Sequence, residues 1–117
     1  MKILPAVFLA LLVPAAAMAQ APGGKWTGNA APNSGDPSRC TPNMAFELVV
    51  KDGKLAGKLD FGNRVQAIEA AVAADGKFET SFVNPQGHTV QVSGNLNDSF
   101  SVVNPIRCGY GNIPLKR

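Results

Sequence analysis

The stretch Met44-Ala45-Phe46-Glu47-Leu48-Val49-Val50-Lys51-Asp52-Gly53-Lys54-Leu55-Ala56-Gly57-Lys58-Leu59-Asp60-Phe61 decides the fold class. Met44, Phe46, Leu48 and Val50 alternate with Ala45, Glu47, Val49 and Lys51, the period of two that marks a half-buried strand. Leu55, Gly57, Leu59 and Phe61 alternate in their turn. Between the runs stands Asp52-Gly53, a strong hairpin signal, because both residues tolerate the positive φ of a type I′ turn. A two-residue loop then fixes the register. Lys51 faces Lys54, Val50 faces Leu55, Leu48 faces Gly57, Phe46 faces Leu59, and Met44 faces Phe61. Each apolar residue of these pairs meets the same face of its partner, and on the other face Glu47 meets Lys58, an opposite-charge pair worth a few tenths of a kcal/mol.

Working outward, Lys25 to Gly28 reads as a short first strand. Asn29 to Asn43, rich in Asn, Pro, Ser and Gly, reads as a loop that holds Cys40. Val65 to Ala74 supports two readings. Its alanines, with Gly76 as a C-cap, suit a short helix. A second hairpin fits better, because Asp75-Gly76-Lys77 repeats Asp52-Gly53-Lys54 and Phe78, Thr80 and Phe82 alternate after it. A three-residue loop with Gly76 left-handed sets Val72 against Phe78, Ala70 against Thr80 and Ile68 against Phe82. Asn84-Pro85-Gln86-Gly87 fits a type I turn. Val90, Val92, Gly94 and Leu96 form the next strand, Asn97-Asp98-Ser99 turns, and Phe100 and Val102 return. Asn104-Pro105 ends that strand, and Ile106 to Leu115 is a last, irregular extended segment.

Seven or eight short strands joined by tight turns point to an all-β fold, an antiparallel meander closed into a small barrel or sandwich. A flat sheet of this size would leave one apolar face and both edges wet. The expected core is Trp26, Phe46, Leu48, Val50, Leu55, Leu59, Ile68, Val72, Phe78, Phe82, Val90, Val92, Leu96, Phe100 and Val102.

The first nineteen residues read as a signal peptide: Lys2 gives the positive start, Ile3 to Val13 the apolar run, and Ala17-Met18-Ala19 the cleavage step. Cleavage before Gln20 leaves 20–117 as a single domain in an oxidising compartment, periplasmic or secreted, with no membrane span. Cys40 and Cys108 are the only cysteines, and export favours pairing them. That bridge closes a loop of about 69 residues, worth roughly 4 kcal/mol in the chain-entropy model. The alternative, a metal or redox pair, wants short Cys spacing and histidines, whereas His88 stands alone.

Net charge is +3 for the whole chain, and the basic residues are scattered rather than gathered on a stripe, which disfavours nucleic acid as a partner. The catalytic inventory is thin. One histidine excludes a His-Glu-x-x-His metal site; His88 follows a turn glycine and reads as a solvated turn residue. Asp52, Asp75 and Asp98 sit in turns, and Glu47, Asp60, Glu69 and Glu79 on outward faces. The expectation is no enzyme, no cofactor and no metal.

Gly24-Lys25-Trp26-Thr27-Gly28, then Phe46 to Gly57, Ile68 and Asp75-Gly76-Lys77-Phe78, resembles small exported bacterial β domains, uncharacterised for the most part. These carry a Gly-x-Trp start, a strand–Asp-Gly–strand–Gly hairpin and a terminal Cys-Gly segment. In layout the chain is also similar to lipocalin- and avidin-like meander barrels, although it is shorter than full lipocalins and lacks avidin's several tryptophans. The shared motifs are turns and core positions, so the resemblance implies a shape and transfers no functional residue.

Chemistry-bearing residues gather only beside the cysteines. Arg39-Cys40 and Arg107-Cys108 bring two arginines together near Tyr110, and arginine and tyrosine on glycine-flanked loops suit contact with anions or protein partners. The bland alternative packs Tyr110 over the end of the fold and leaves the arginines solvated. The sequence therefore points to a non-catalytic binding domain for a small molecule or a protein, with an inhibitor of a secreted hydrolase such as a lysozyme or protease as the alternative.

Overall fold

The computed structural model describes residues 22–36, 38, 40–104 and 108–116. The expected signal peptide, and the arginines at 39 and 107, lie outside the described residues. Nine strands are present among those described: β1 (Gly24–Ala30), β2 (Ser34–Gly35), β3 (Met44–Lys51), β4 (Lys54–Asp60), β5 (Val65–Ala71), β6 (Lys77–Val83), β7 (Thr89–Asn95), β8 (Ser99–Val103) and β9 (Cys108–Pro114). They form two antiparallel sheets, ordered β1-β3-β4-β5 and β2-β9-β8-β7-β6. No ladder joins the two sheets into a barrel. Strand β2 lies within the stretch read as loop, because two residues are too few to show a period.

The β3–β4 hairpin has the register dictated by its turn. Asp52 and Gly53 take φ of 54° and 75°, and Lys51 pairs with Lys54, Val50 with Leu55, Leu48 with Gly57 and Phe46 with Leu59. The ladder stops at Ala45–Asp60, so Met44 does not pair with Phe61. Glu47 does stand opposite Lys58. Its ion pair, however, runs to Lys25 on β1, Nζ to Oε2 at 3.0 Å. Glu47 lies between two strands, and the sequence showed only one of its neighbours. The pair is largely exposed and adds little stability.

Val65 to Ala71 is a strand, not a helix. The β5–β6 loop closes as its sequence requires: Gly76 N–H donates to Ala73 O at 2.9 Å, Ala73 N–H to Lys77 O at 2.9 Å, and Gly76 has φ 94°. The hairpin then parts after one pair. Val72 bridges Phe78, but β5 pairs along β4 and β6 along β7, and the expected pairs Ala70–Thr80 and Ile68–Phe82 do not form. Continuing the ladder would put all the apolar residues on one side of a single broad sheet. Parting at Val72 lets the two apolar faces meet instead.

They meet in one continuous core. Phe46 of β3 and Phe100 of β8 touch edge to face across the sheets, with ring centroids 5.0 Å apart. Every expected core residue is buried except Phe82, which is only partly covered; Met44, Tyr110, Ile113 and Leu115 join the core as well. The last three follow from a bulge in β9. Phe100 pairs with Ile113 but Val102 with Tyr110, so Ser101 opposes both Gly111 and Asn112. Asn112 adopts φ 53° and donates its N–H to Ser101 Oγ at 3.0 Å. The extra residue turns Tyr110 and Ile113, an odd number of positions apart, to the same face.

Cys40, on the link between β2 and β3, is bridged to Cys108 at the start of β9, with Cα atoms 5.6 Å apart. A Cys40→Ser, Cys108→Ser double variant should fold yet lose several kcal/mol, given the roughly 4 kcal/mol assigned to a loop of this length. Thermal melting of the oxidised protein and the variant checks this, and equal midpoints would refute it.

Gly94 of β7 is a second structural requirement. A Cβ there would lie 2.5 Å from Phe100 Cα and against the Ser99 carbonyl, whereas a Cβ on Gly57 meets only the side-chain ends of Leu48 and Ile68, at 2.8 and 3.0 Å. Backbone cannot rotate away as a side chain can. Gly94→Ala should therefore cost about 1–3 kcal/mol, and Gly57→Ala less, as read by urea denaturation.

Candidate functional site: a cleft at one end of the two sheets

The two ends of the fold differ. At one end the turns are tied to each other by backbone bonds. Val72 N–H donates to Gly53 O at 2.9 Å and Leu96 N–H to Gly76 O at 3.0 Å. The side-chain amides of Asn95 and Asn97 both donate to Asp75 O at 3.1 Å. At the other end, the β4–β5 loop, the β6–β7 loop and the residues Asn104 and Cys108 surround a cleft of about 380 Å³.

Its floor is apolar: Phe61, Phe82, Val90, Val102 and Tyr110. Phe61 lies 6.5 Å from Phe82 and 6.4 Å from Tyr110, centroid to centroid, with the rings tilted at 49° and 54°. The result is a corrugated aromatic surface. Among the described aromatic residues, Phe61 and Phe82 alone are not buried. Their strand positions point them inward, but they stand where the strands end, so nothing from the opposite sheet covers them fully.

The rim is polar and stiff. Phe61-Gly62-Asn63-Arg64 closes the β4–β5 hairpin by Phe61 N–H to Arg64 O at 2.9 Å, and Gly62 N–H donates to Asp60 Oδ1 at 2.8 Å. Across the cleft, Gly87 N–H donates to Asn84 O at 2.9 Å, the expected type I closure. Asn84 Oδ1 also accepts from the backbone N–H groups of Gln86 and His88, at 3.0 and 2.9 Å. Both loops thus keep their shape by local hydrogen bonds.

The back wall joins the sheets. Tyr110 donates its hydroxyl to Thr41 O at 2.8 Å, and Thr41 Oγ1 donates to Phe61 O at 3.0 Å. Tyr110 is only 3% exposed, so its ring is wall rather than a free contact. Burial raises its hydroxyl pKa above the usual 10.0.

Of the three residues the sequence offered as contacts, Tyr110 lines this cleft. Arg39 and Arg107 adjoin Cys40 and Cys108, and Cys108 borders the same cleft. Phe61, Phe82 and Arg64, which line the same cleft, were not singled out from the sequence. Gly62-Asn63 between two alternating runs was the available signal, since it marks a hairpin that sets Arg64 beside Phe61. His88 is half-buried rather than solvated, and its Nδ1 has no hydrogen-bond partner. Among the described residues no group of three or more His, Cys, Asp or Glu could hold a metal ion. No helix there is long and apolar enough to cross a membrane.

A wider depression, about 760 Å³, lies over the outer face of the β6–β9 sheet beside Lys77, Glu79, Ser93 and Ser101. It is shallower and more open than the end cleft, whose concavity is what small-molecule sites need. Comparison of the chain with protein-family models, curated proteins and solved structures found no match.

Tyr110→Phe should test the back wall. It leaves the Thr41 carbonyl without its donor and should cost about 1 kcal/mol near neutral pH. The pH dependence has a definite sign. A tyrosine whose folded pKa exceeds its unfolded value binds more protons when folded, so stability falls as pH rises from about 10 through the folded pKa. Melting midpoints from pH 8 to 11.5 should fall more steeply for the wild type than for Tyr110→Phe. Parallel curves would refute the assignment.

Proposed function

We propose that this chain is a non-catalytic exported binding domain that holds a small molecule in the end cleft. The observation that carries the reading is the aromatic floor left open at a stiff, polar-rimmed concavity, while the other aromatic rings among the described residues are buried. The space between the sheets is filled by Phe46, Leu48, Val92 and Phe100, which argues for a ligand at the end rather than inside a barrel. The Cys40–Cys108 bridge supports an oxidising, exported setting,.

A preformed site of this size suits one compact ligand with an apolar body, because ordered walls need no reorganisation on binding. The cleft volume equals that of on the order of a dozen waters at about 30 Å³ each. That suits one or two rings and is small for a long lipid chain.

Native mass spectrometry of the protein isolated from its own host checks the reading in a single spectrum. The expected spectrum shows residues 20–117, two hydrogens lighter than the reduced mass, with a discrete small-molecule adduct that is lost in a folded Phe82→Ala variant. A bare protein through every stage of isolation overturns the small-molecule reading, and a retained polypeptide transfers it to protein recognition.

A further inference from the structure

Arg64 gives the cleft a charge preference. It lies half-buried on the rim, and its guanidinium donates from Nη2 to Gln66 Oε1, a neutral acceptor. Among the described residues no carboxylate comes within ion-pair distance of it; the ion pair found there joins Lys25 and Glu47, on other strands. Asp60, the acid nearest in sequence, accepts from Gly62 N–H instead. An arginine has five N–H donors and stays charged at any physiological pH. One donor is engaged by Gln66, which leaves a partly desolvated cation beside an apolar floor.

We propose that the cleft takes a small aromatic carboxylate, its carboxylate on the Arg64 guanidinium and its ring on Phe61 and Phe82. The inference rests on the reading of the cleft as a small-molecule site. Three observations converge on that chemistry. The planar guanidinium fork matches the two oxygens of a carboxylate, which then accepts two parallel N–H bonds. The floor beside it is aromatic, and tilted rings at these separations favour edge and offset contacts with a further ring. The volume of about 380 Å³ admits a ring with a short acid arm.

Arg64 is the one cation among the described residues that line the cleft, and its single guanidinium fork matches the two oxygens of one carboxylate. The amides of Asn63 and Gln86 on the same rim are neutral and do not compete for the charge. No bond is made or broken: the step is binding alone.

The test uses the full oxidised protein, amide chemical-shift mapping by NMR, and five probes: cinnamate, its neutral isostere cinnamamide, phenyl phosphate, phenethylamine and glucuronate. Cinnamate is expected to shift the Gly62, Asn63, Asn84 and Gln86 amides and to bind at least tenfold more tightly than cinnamamide or phenethylamine. Arg64→Gln, folded by the dispersion of its own spectrum, should abolish that tenfold preference by weakening cinnamate far more than cinnamamide. Equal affinity for cinnamate and cinnamamide in the wild type overturns the role of Arg64 while leaving the cleft a site for neutral ligands. Tighter binding of phenyl phosphate overturns the carboxylate in favour of phosphate. Binding of glucuronate at the cleft with none of cinnamate overturns the aromatic floor as the anchor. If no probe moves the cleft amides at millimolar concentration, the inference is overturned. A native adduct found by mass spectrometry would then preserve the binding reading with a different ligand class.

Discussion

Everything at the cleft end depends on how the segment between β2 and β3 is fastened. This segment leaves one sheet and enters the other, and three links hold it where it crosses. Cys40 is bridged to Cys108 of β9, Tyr110 of β9 donates to the Thr41 carbonyl, and the Thr41 hydroxyl donates to the Phe61 carbonyl at the end of β4. One short stretch is thereby tied to β9 covalently, to β9 again by a phenol, and to the opposite sheet through Phe61. A domain of this size buries only about 60–65% of its unfolded surface and has little stability to spare. A covalent link that removes unfolded-state entropy, placed where the sheets have no ladder in common, supplies what the core lacks.

The same fastening explains why the two ends behave differently. At the Val72–Phe78 end, the sheets are joined through backbone hydrogen bonds between turns. No comparable bonds tie the β4–β5 loop to the β6–β7 loop at the far end; each is closed on itself. The back wall sets the spacing there instead, from Tyr110 through Thr41 to Phe61. A fold sealed at both ends would have covered Phe61 and Phe82. Held open at one end, it keeps two aromatic rings accessible without giving up the rest of its core.

The parts of the fold legible in the sequence are those governed by local rules. Asp52-Gly53 fixed the β3–β4 register because a two-residue turn permits little else, and Gly76 and Gly87 marked their loops for the same reason. What could not be read was the choice between partners far apart in sequence. Alternation in β5 and β6 is equally compatible with pairing to each other and with joining separate sheets, and only the burial of both faces decides. Glu47 looked to Lys58 because the hairpin was visible, whereas β1, which brings Lys25, adjoins β3 only through the sheet order. Tyr110, Ile113 and Leu115 escaped the core pattern because the β9 bulge breaks the period of two. The site divided along the same line. Tyr110 was offered by the sequence and lines the cleft, while Arg64 looked like one more scattered cation until the Gly62-Asn63 turn placed it beside Phe61.

Phe82 shows why the open cleft falls at the margin of the core and not within it. By period it is as inward as Phe78, four residues earlier on the same strand, and the sequence assigns both to the core. Phe78 lies near the sealed end, packs on Phe100 at 6.4 Å between centroids and is buried. Phe82 lies near the open end, meets the tilted ring of Phe61 at 6.5 Å between centroids, and stays partly exposed. Its incomplete burial forgoes some of the hydrophobic stabilisation available to a covered phenylalanine, about 25 cal/mol for each Å² left wet. A ligand with an apolar ring would recover that stabilisation on binding, without displacing any group the fold already uses. The residue that is suboptimal for folding is in this way the one that leaves apolar surface open at the cleft.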